Sequence, residues 1–143
     1  MNTEENKAIA LRFAQVWTAG NLHLVDELAA PDIVVSYPHP PEPIRGAEGF
    51  KAFLEEVFVG LPDAVVTVDE MLAEEDKVAC RWTMHGTHLG PWFGFPSTGK
   101  AVQLSGFTFY RIANGKVVEE TGMGDALGLL MQMGAEIRPS QSE

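Results

Sequence analysis

The sequence predicts an α+β domain in which N-terminal helices cover one face of a strongly curved antiparallel sheet. Three observations carry that prediction. Apolar side chains in the first part of the chain recur near helical period, and after Pro62 the period changes to two. The period-two pattern then runs through four long segments, residues 65–72, 78–88, 101–112 and 117–123. Asn114-Gly115, the dipeptide that tight hairpins favour, joins the last two. Helices ahead of such a meander must bury their apolar stripes against it, and a sheet bent around them makes a cone with interior space.

The elements follow in order. Thr3-Glu4-Glu5-Asn6 offers a hydroxyl cap and early acids to a helix N-terminus. Ala8, Ile9, Leu11, Phe13, Val16 and Trp17 continue it as a stripe, and Gly20 stops it. Asn21 is expected to cap a short second helix that runs through Leu28, ahead of Pro31. Residues 33–37 read as a strand, which the Pro-rich segment 38–43 breaks. A third helix fits residues 47–59, with Phe50, Phe53, Leu54, Val57 and Phe58 on its buried side. The four strands come next, then a helix over 126–133 and a polar tail from about residue 135 that is expected to fray. No repeat or linker divides the chain, so residues 1–143 are expected to form a single domain.

Composition narrows the function classes. Apolar residues make up 45% and charged residues 21%, an ordinary globular balance. A formal net charge of -10 argues against a nucleic-acid partner, because phosphates would be repelled. Cys80 is the single cysteine, set in an apolar strand, and reads as a small buried hydrophobe. No Cys/His spacing reads as a metal site, and no run approaches membrane-spanning length. The expectation is a soluble cytoplasmic protein without metal or cofactor, with neither a membrane nor a nucleic acid as partner.

The chemistry concentrates between His85 and Lys100. His85, Thr87, His88, Trp92, Phe93 and Phe95 share one connection rich in glycine and proline. A structural hairpin needs far less, so this loop is expected to hold a fixed shape over a small-molecule pocket. By alternation His88 shares a face with Cys80, Trp82 and Met84, while His85 faces away. His88 is then either a hydrogen-bonded core residue or an imidazole that polarises a substrate carbonyl. Trp92 and Phe93 are placed as a lid against a flat apolar ligand, with Trp17 and Trp82 as further wall or core. Glu119 alternates with Val117, Thr121 and Met123, which turns it inward as a second pocket acid unless Arg81 or Arg111 pairs with it. The same alternation puts Glu120 in solvent. Asp125 stands between strand and helix, where it serves as an N-cap or as a site acid.

Several segments together resemble the SnoaL-like polyketide and ester cyclases. Gly86-Thr87-His88-Leu89-Gly90 with Gly94-Phe95-Pro96-Ser97-Thr98-Gly99-Lys100 looks like that family's central motif. Asn114-Gly115-Lys116-Val117-Val118-Glu119-Glu120, Asp125 and the stretch from Leu127 to Gly134 look like its closing pattern, in the same order. Arg45-Gly46-Ala47-Glu48-Gly49-Phe50 and the opening helix also fit. The resemblance implies the nuclear-transport-factor-2-like cone and a ring-closing intramolecular aldol condensation with an acid/base aspartate and no cofactor. It places that aspartate at Asp125. The family commonly carries a bulky aromatic where Thr121 stands, and larger residues than Gly122 and Gly124, so the pocket wall here is expected to be reshaped. Substrate-binding candidates are thus Trp17, Trp82, Trp92, Phe93, Glu119 and Thr121, with Asp125 and His88 as the catalytic pair. The expected partners are a hydrophobic, flat carbonyl compound and a second copy of the chain. A ligand-binding or dimerisation domain without catalysis, and an epoxide hydrolase or isomerase on the same fold, are the alternatives.

Overall fold

The computed structural model describes residues 2–141. Helix α1 (Thr3–Ala14) is followed by a single 3-10 turn (Gln15–Trp17) and by helix α2 (His23–Leu28). Strand β1 (Ala29–Ser36), a two-residue strand β2 (Ile44–Arg45) and helix α3 (Ala47–Gly60) come next. Four long strands then run in succession: β3 (Val65–Glu74), β4 (Lys77–Thr87), β5 (Ala101–Ala113) and β6 (Lys116–Gly124). Helix α4 (Ala126–Gln132) closes the fold.

The six strands form one curved sheet in the order β2-β1-β6-β5-β4-β3. The sheet is mixed rather than purely antiparallel, because β1 runs parallel to β6. β6, the last strand of the meander, closes against β1, which lies between it and the edge strand β2. Each long strand lies where the period-two pattern predicts it, within two residues at either end. The expectation fails at β1, which begins before Pro31 instead of after it. Pro31 is exposed in the irregular part of the β1–β6 register, between Ala29 and Val34, where its missing N–H costs little. Caps also differ from expectation. The side chain of Asn2, not Thr3, accepts from the Glu5 N–H at 2.8 Å, and Asn21 donates to the Gln15 carbonyl instead of capping α2.

The core lies between the helices and the concave face of the sheet. Phe13 of α1 meets Phe50 of α3 and the edge of Tyr110 of β5, both at 6.1 Å between ring centroids. Ile33, Val35, Leu54, Val78, Ile112 and Val117 fill in around them and are fully or almost fully buried. Removing this much apolar surface from water is the main term that holds α1 and α3 on the sheet.

A β-bulge in β6 decides which side chains enter the core. Ile112 pairs with Val117, but Arg111 pairs with Glu119, leaving Val118 as an extra residue. The extra residue shifts the alternation by one beyond it. Val117 and Glu120 both point inward, whereas Glu119, Thr121 and Met123 point out. Three expectations are corrected as a result. Glu119 is at the surface, where its carboxylate pairs with Arg111 at 2.8 Å. Thr121 lies on the outer face and does not line the interior. Glu120, expected in solvent, is fully buried.

On β5 large apolar side chains face out. Phe107 and Phe109 are 62% and 58% exposed on the convex face, and Met123 beside them is 64% exposed. Gly106, Thr108 and Tyr110 take the inner positions instead. Glycine at 106 is required there, since a Cβ would approach the Trp82 ring to 2.5 Å.

Candidate active site

Between helices and sheet is a cavity of about 700 Å³, bounded mostly by carbon. Trp17, Phe53, Trp82 and Leu104 form its walls, and Tyr37, Thr108 and Tyr110 bring hydroxyl groups to its inner end. Trp82 reaches across the sheet because Gly106 and Gly124 leave room for its ring. Tyr37 lies against β6 in the same way: a Cβ on Gly122 would come within 2.5 Å of its ring. The small residues at 122 and 124 are thus matched to Tyr37 and Trp82, which occupy part of the space that larger residues would take.

The mouth is covered by the loop between β4 and β5. Trp92 and Phe95 exchange two backbone hydrogen bonds, 2.9 and 2.8 Å, across a turn whose central residues Phe93 and Gly94 both have positive φ. This closed turn fixes the direction of Trp92, Phe93 and Phe95, all three of which line the cavity. Phe93 stacks on Phe53 of α3 at 5.5 Å and receives the edge of His39 at 6.2 Å. Trp92 packs over Gly60, where any side chain would strike its indole. The expectation of an aromatic loop held in a fixed shape matches this arrangement.

At the inner end the polar groups form one connected network. The Tyr37 hydroxyl donates to Glu120 Oε2 at 2.6 Å, and Trp17 Nε1–H donates to the same oxygen at 3.1 Å. Thr108 Oγ1 is 2.9 Å from the Tyr37 hydroxyl and accepts from Trp82 Nε1–H at 2.8 Å. Glu120 Oε1 is buried without a partner among the described residues. Burial pushes the Glu120 carboxyl up to about 7, against the pull of its two hydrogen bonds. Burial and the neighbouring Glu120 charge hold the hydroxyls of Tyr37 and Tyr110 well above the ordinary tyrosine range. The Cys80 thiol is pushed up to about 11, mainly by burial, and is neutral at physiological pH.

Four of the six expected substrate-binding residues (Trp17, Trp82, Trp92 and Phe93) are brought together around the cavity, while Glu119 and Thr121 are not. Asp125 is the N-cap of α4, with Oδ1 accepting from the Gly128 N–H at 2.9 Å. It is exposed at the rim, between Gly124 and Ala126, which both line the cavity. His88 is fully buried beside Phe95 but is not part of the cavity wall. The Thr98 N–H donates to His88 Nδ1 at 3.2 Å, which makes that nitrogen an acceptor and puts a neutral ring's proton on Nε2. Nε2 has no partner among the described residues. Among those residues, no group of three or more His, Cys, Asp or Glu side chains gathers as a metal site would require.

Sequence reasoning missed Tyr37, Thr108 and Glu120. Thr108 sits between two phenylalanines, and an apolar-inside rule selects the phenylalanines. Glu120 becomes interior through a bulge that alternation does not reveal. Paired acids in an otherwise apolar strand were the one available signal.

A curved sheet wrapped around an apolar cavity with buried hydroxyl and carboxyl groups defines a small-molecule-binding cone of the nuclear-transport-factor-2-like class. The chain belongs to the SnoaL-like polyketide cyclase family, whose pattern it matches over residues 7–133. Three solved structures illustrate the likeness. A proposed SnoaL-like polyketide cyclase from Jannaschia sp. CCS1 is 25% identical, with a TM-score of 0.84 over 94% of this chain and 95% of that one. AclR from Streptomyces galilaeus, described as a proposed hydroxylase, is 28% identical, with a TM-score of 0.82 over 96% and 91% of the two chains. A proposed polyketide cyclase from Acidithiobacillus ferrooxidans is 30% identical, with a TM-score of 0.81 over 90% and 93%. No curated protein has a matching sequence.

Proposed function

We propose that the protein is a cofactor-independent, cyclase-type enzyme that performs acid/base chemistry on a hydrophobic, flat carbonyl compound. The observation that carries this reading is the cavity itself, with aromatic walls and with the hydroxyl-bearing Tyr37, Thr108 and Tyr110 in its lining, the first two hydrogen-bonded to each other. Such a site buries rings non-specifically and orients a molecule through its few oxygens. Folding an extended polyketone against Trp17, Trp82, Trp92 and Phe93 brings its reacting carbons together, and proximity supplies much of the acceleration. An aldol ring closure then needs a base for the carbon acid and donors for the oxygen that becomes negative. Asp125 is the base in this proposal. The family resemblance supports that role, as does its position between Gly124 and Ala126, which line the cavity. His88, held by Thr98, supports the loop that carries the aromatic lid and offers an imidazole behind Phe95.

A second copy of the chain is the partner this reading expects. Phe107, Phe109 and Met123 form an exposed apolar patch on the convex face, with Phe107 directly opposite Met123 in register. The lone buried cysteine fits work in the reducing cytoplasm. No helix among the described residues is long and apolar enough to cross a membrane.

One observation favours a non-catalytic ligand-binding domain: the Asp125 carboxylate is already engaged as a helix cap and open to water. Turnover of aromatic β-dicarbonyl compounds, followed by NMR for the ring-closed product, separates the two readings. The enzyme reading expects product from wild type and none from Asp125→Asn at equal stability. Binding of these compounds without product from any of them would leave the ligand-binding reading in its place.

A further inference from the structure

The hydrogen-bond network at the inner end of the cavity has a direction. An indole N–H can only donate, so Thr108 Oγ1 accepts from Trp82, and Glu120 Oε2 accepts from Trp17. While Glu120 is ionised, the Tyr37 proton is drawn to the carboxylate, as their 2.6 Å separation reflects. Thr108 must then donate to Tyr37, and every proton in the chain points toward Glu120. Under those conditions Tyr37 has no proton left to offer the cavity that its ring lines.

Protonating Glu120 reverses this. A proton on Oε1 would have no acceptor among the described residues, whereas a proton on Oε2 has the Tyr37 oxygen at hydrogen-bond distance. An unmatched buried donor is costly, so Oε2 is the favoured seat. The carboxylic acid then donates to Tyr37, whose own proton is freed from the carboxylate and is available to Thr108 Oγ1 or to an acceptor in the cavity. A carboxyl kept neutral by burial so that it can donate is an established device of polar sites in apolar surroundings.

We propose that Glu120 and Tyr37 form a proton relay at the inner end of the cavity, in which the protonation of Glu120 decides whether Tyr37 donates inward to the carboxylate or outward to a carbonyl oxygen of the bound compound. This rests on the reading of the cavity as a carbonyl-compound site. Tyr37 is the group that touches the compound, and Glu120 is a positioning residue that acts through it. When ring closure makes an alkoxide, the Tyr37 O–H bond breaks and the new substrate O–H bond forms. The Glu120 O–H bond breaks as its proton restores the Tyr37 hydroxyl. Glu120 is left as a carboxylate and recovers a proton from water, while the proton that Asp125 removed from carbon returns to water, before the next turnover.

The pH at which the relay switches is set by groups on every surrounding element. Tyr37 directly follows β1, Cys80 comes from β4, Tyr110 from β5, and Trp17 from the turn after α1, while α1 and α3 present Phe13 and Phe50 to this core. Tyr37, Cys80 and Tyr110 all remain neutral through the range in which Glu120 titrates, at about 7. Glu120 is therefore the group in this cluster that changes charge near neutrality.

The test uses 2-acetonaphthone, labelled with carbon-13 at the carbonyl, as the probe. Its bound C=O stretch reports donation directly, since a hydrogen bond lowers the frequency. Wild type should give a lower-frequency band at about pH 5.5 than at about pH 8.5, with its midpoint near the carboxyl's raised value. Tyr37→Phe should bind the probe and lose the low-frequency band at both pH values. Glu120→Gln should give a band that no longer moves with pH. If Glu120→Gln does not fold, the wild-type Trp17 indole N–H resonance provides the same midpoint, because it donates to the titrating oxygen. Probe binding with a band that ignores pH in wild type, or that still shifts in Tyr37→Phe, would overturn the relay and leave the cavity reading intact. No binding at any pH would overturn both.

Discussion

Glu120→Gln tests the energetics of the buried carboxyl apart from any ligand. The native group is fully buried and its carboxyl is pushed up to about 7, against an ordinary glutamate value of 4.5. The native state thus binds this proton more tightly than the unfolded chain does, and the stabilisation is complete below the unfolded value. It falls as pH rises between the two values and is gone above the native one. A gap of this size corresponds to about 3 kcal/mol over the whole window, of which roughly 2 to 3 kcal/mol is lost between about pH 5 and pH 8. Other carboxylates titrate in both proteins, so the difference between wild type and Glu120→Gln isolates this residue. Urea unfolding of both, followed by tryptophan fluorescence, is the assay. With a slope of about 2 kcal/mol per molar urea, the difference between their midpoints should move by roughly 1 M across that pH range, with wild type relatively weaker at high pH. A midpoint difference that stays constant from acid to neutral pH would refute the reasoning. It would mean that Glu120 ionises as an exposed carboxylate does and that its network does not form in solution.

Three further outcomes follow from particular contacts. Gly122→Ala places a methyl group 2.5 Å from the Tyr37 ring and 2.8 Å from the Phe107 carbonyl, so urea unfolding should show a loss of about 1 to 3 kcal/mol. Asp125→Ala should cost about 1 kcal/mol of stability by removing the α4 cap, while Asp125→Asn should cost much less, because an amide oxygen can still accept from Gly128. Equal losses from the two variants would show that the capping bond contributes nothing. Phe107→Glu should leave the monomer's unfolding midpoint almost unchanged, since the ring is 62% exposed, but convert a dimer to monomer in sedimentation velocity. A sedimentation profile identical to wild type would remove the convex face as the contact between copies.

Much of the fold was legible because its signals are local. The change of apolar period after Pro62 is written in neighbouring side chains, and so are the Asn114-Gly115 turn and the helix-compatible stripes around Phe13 and Phe50. The aromatic loop was legible for the same reason, since glycine and proline beside Trp92, Phe93 and Phe95 already restrict the backbone. Where a strand's alternation was unbroken, as in β4, the inward placement of Cys80, Trp82 and Met84 followed directly.

The polar end of the site was not legible, because tertiary contacts decide it. A single extra residue at Val118 exchanges the faces of Glu119 and Glu120, and its presence depends on how β6 registers against Arg111 and Ile112 of β5. Thr108 wins the inner position over its phenylalanine neighbours because Trp82 of β4 and Tyr37, just after β1, arrive to cover it with hydrogen bonds. The sequence by itself determined the elements, their order and an aromatic pocket, through periodicities that span a few residues. Only the tertiary structure decided that Trp17, Tyr37, Thr108 and Glu120 would meet, because burying a carboxyl is tolerable only where distant parts of the chain supply its donors together.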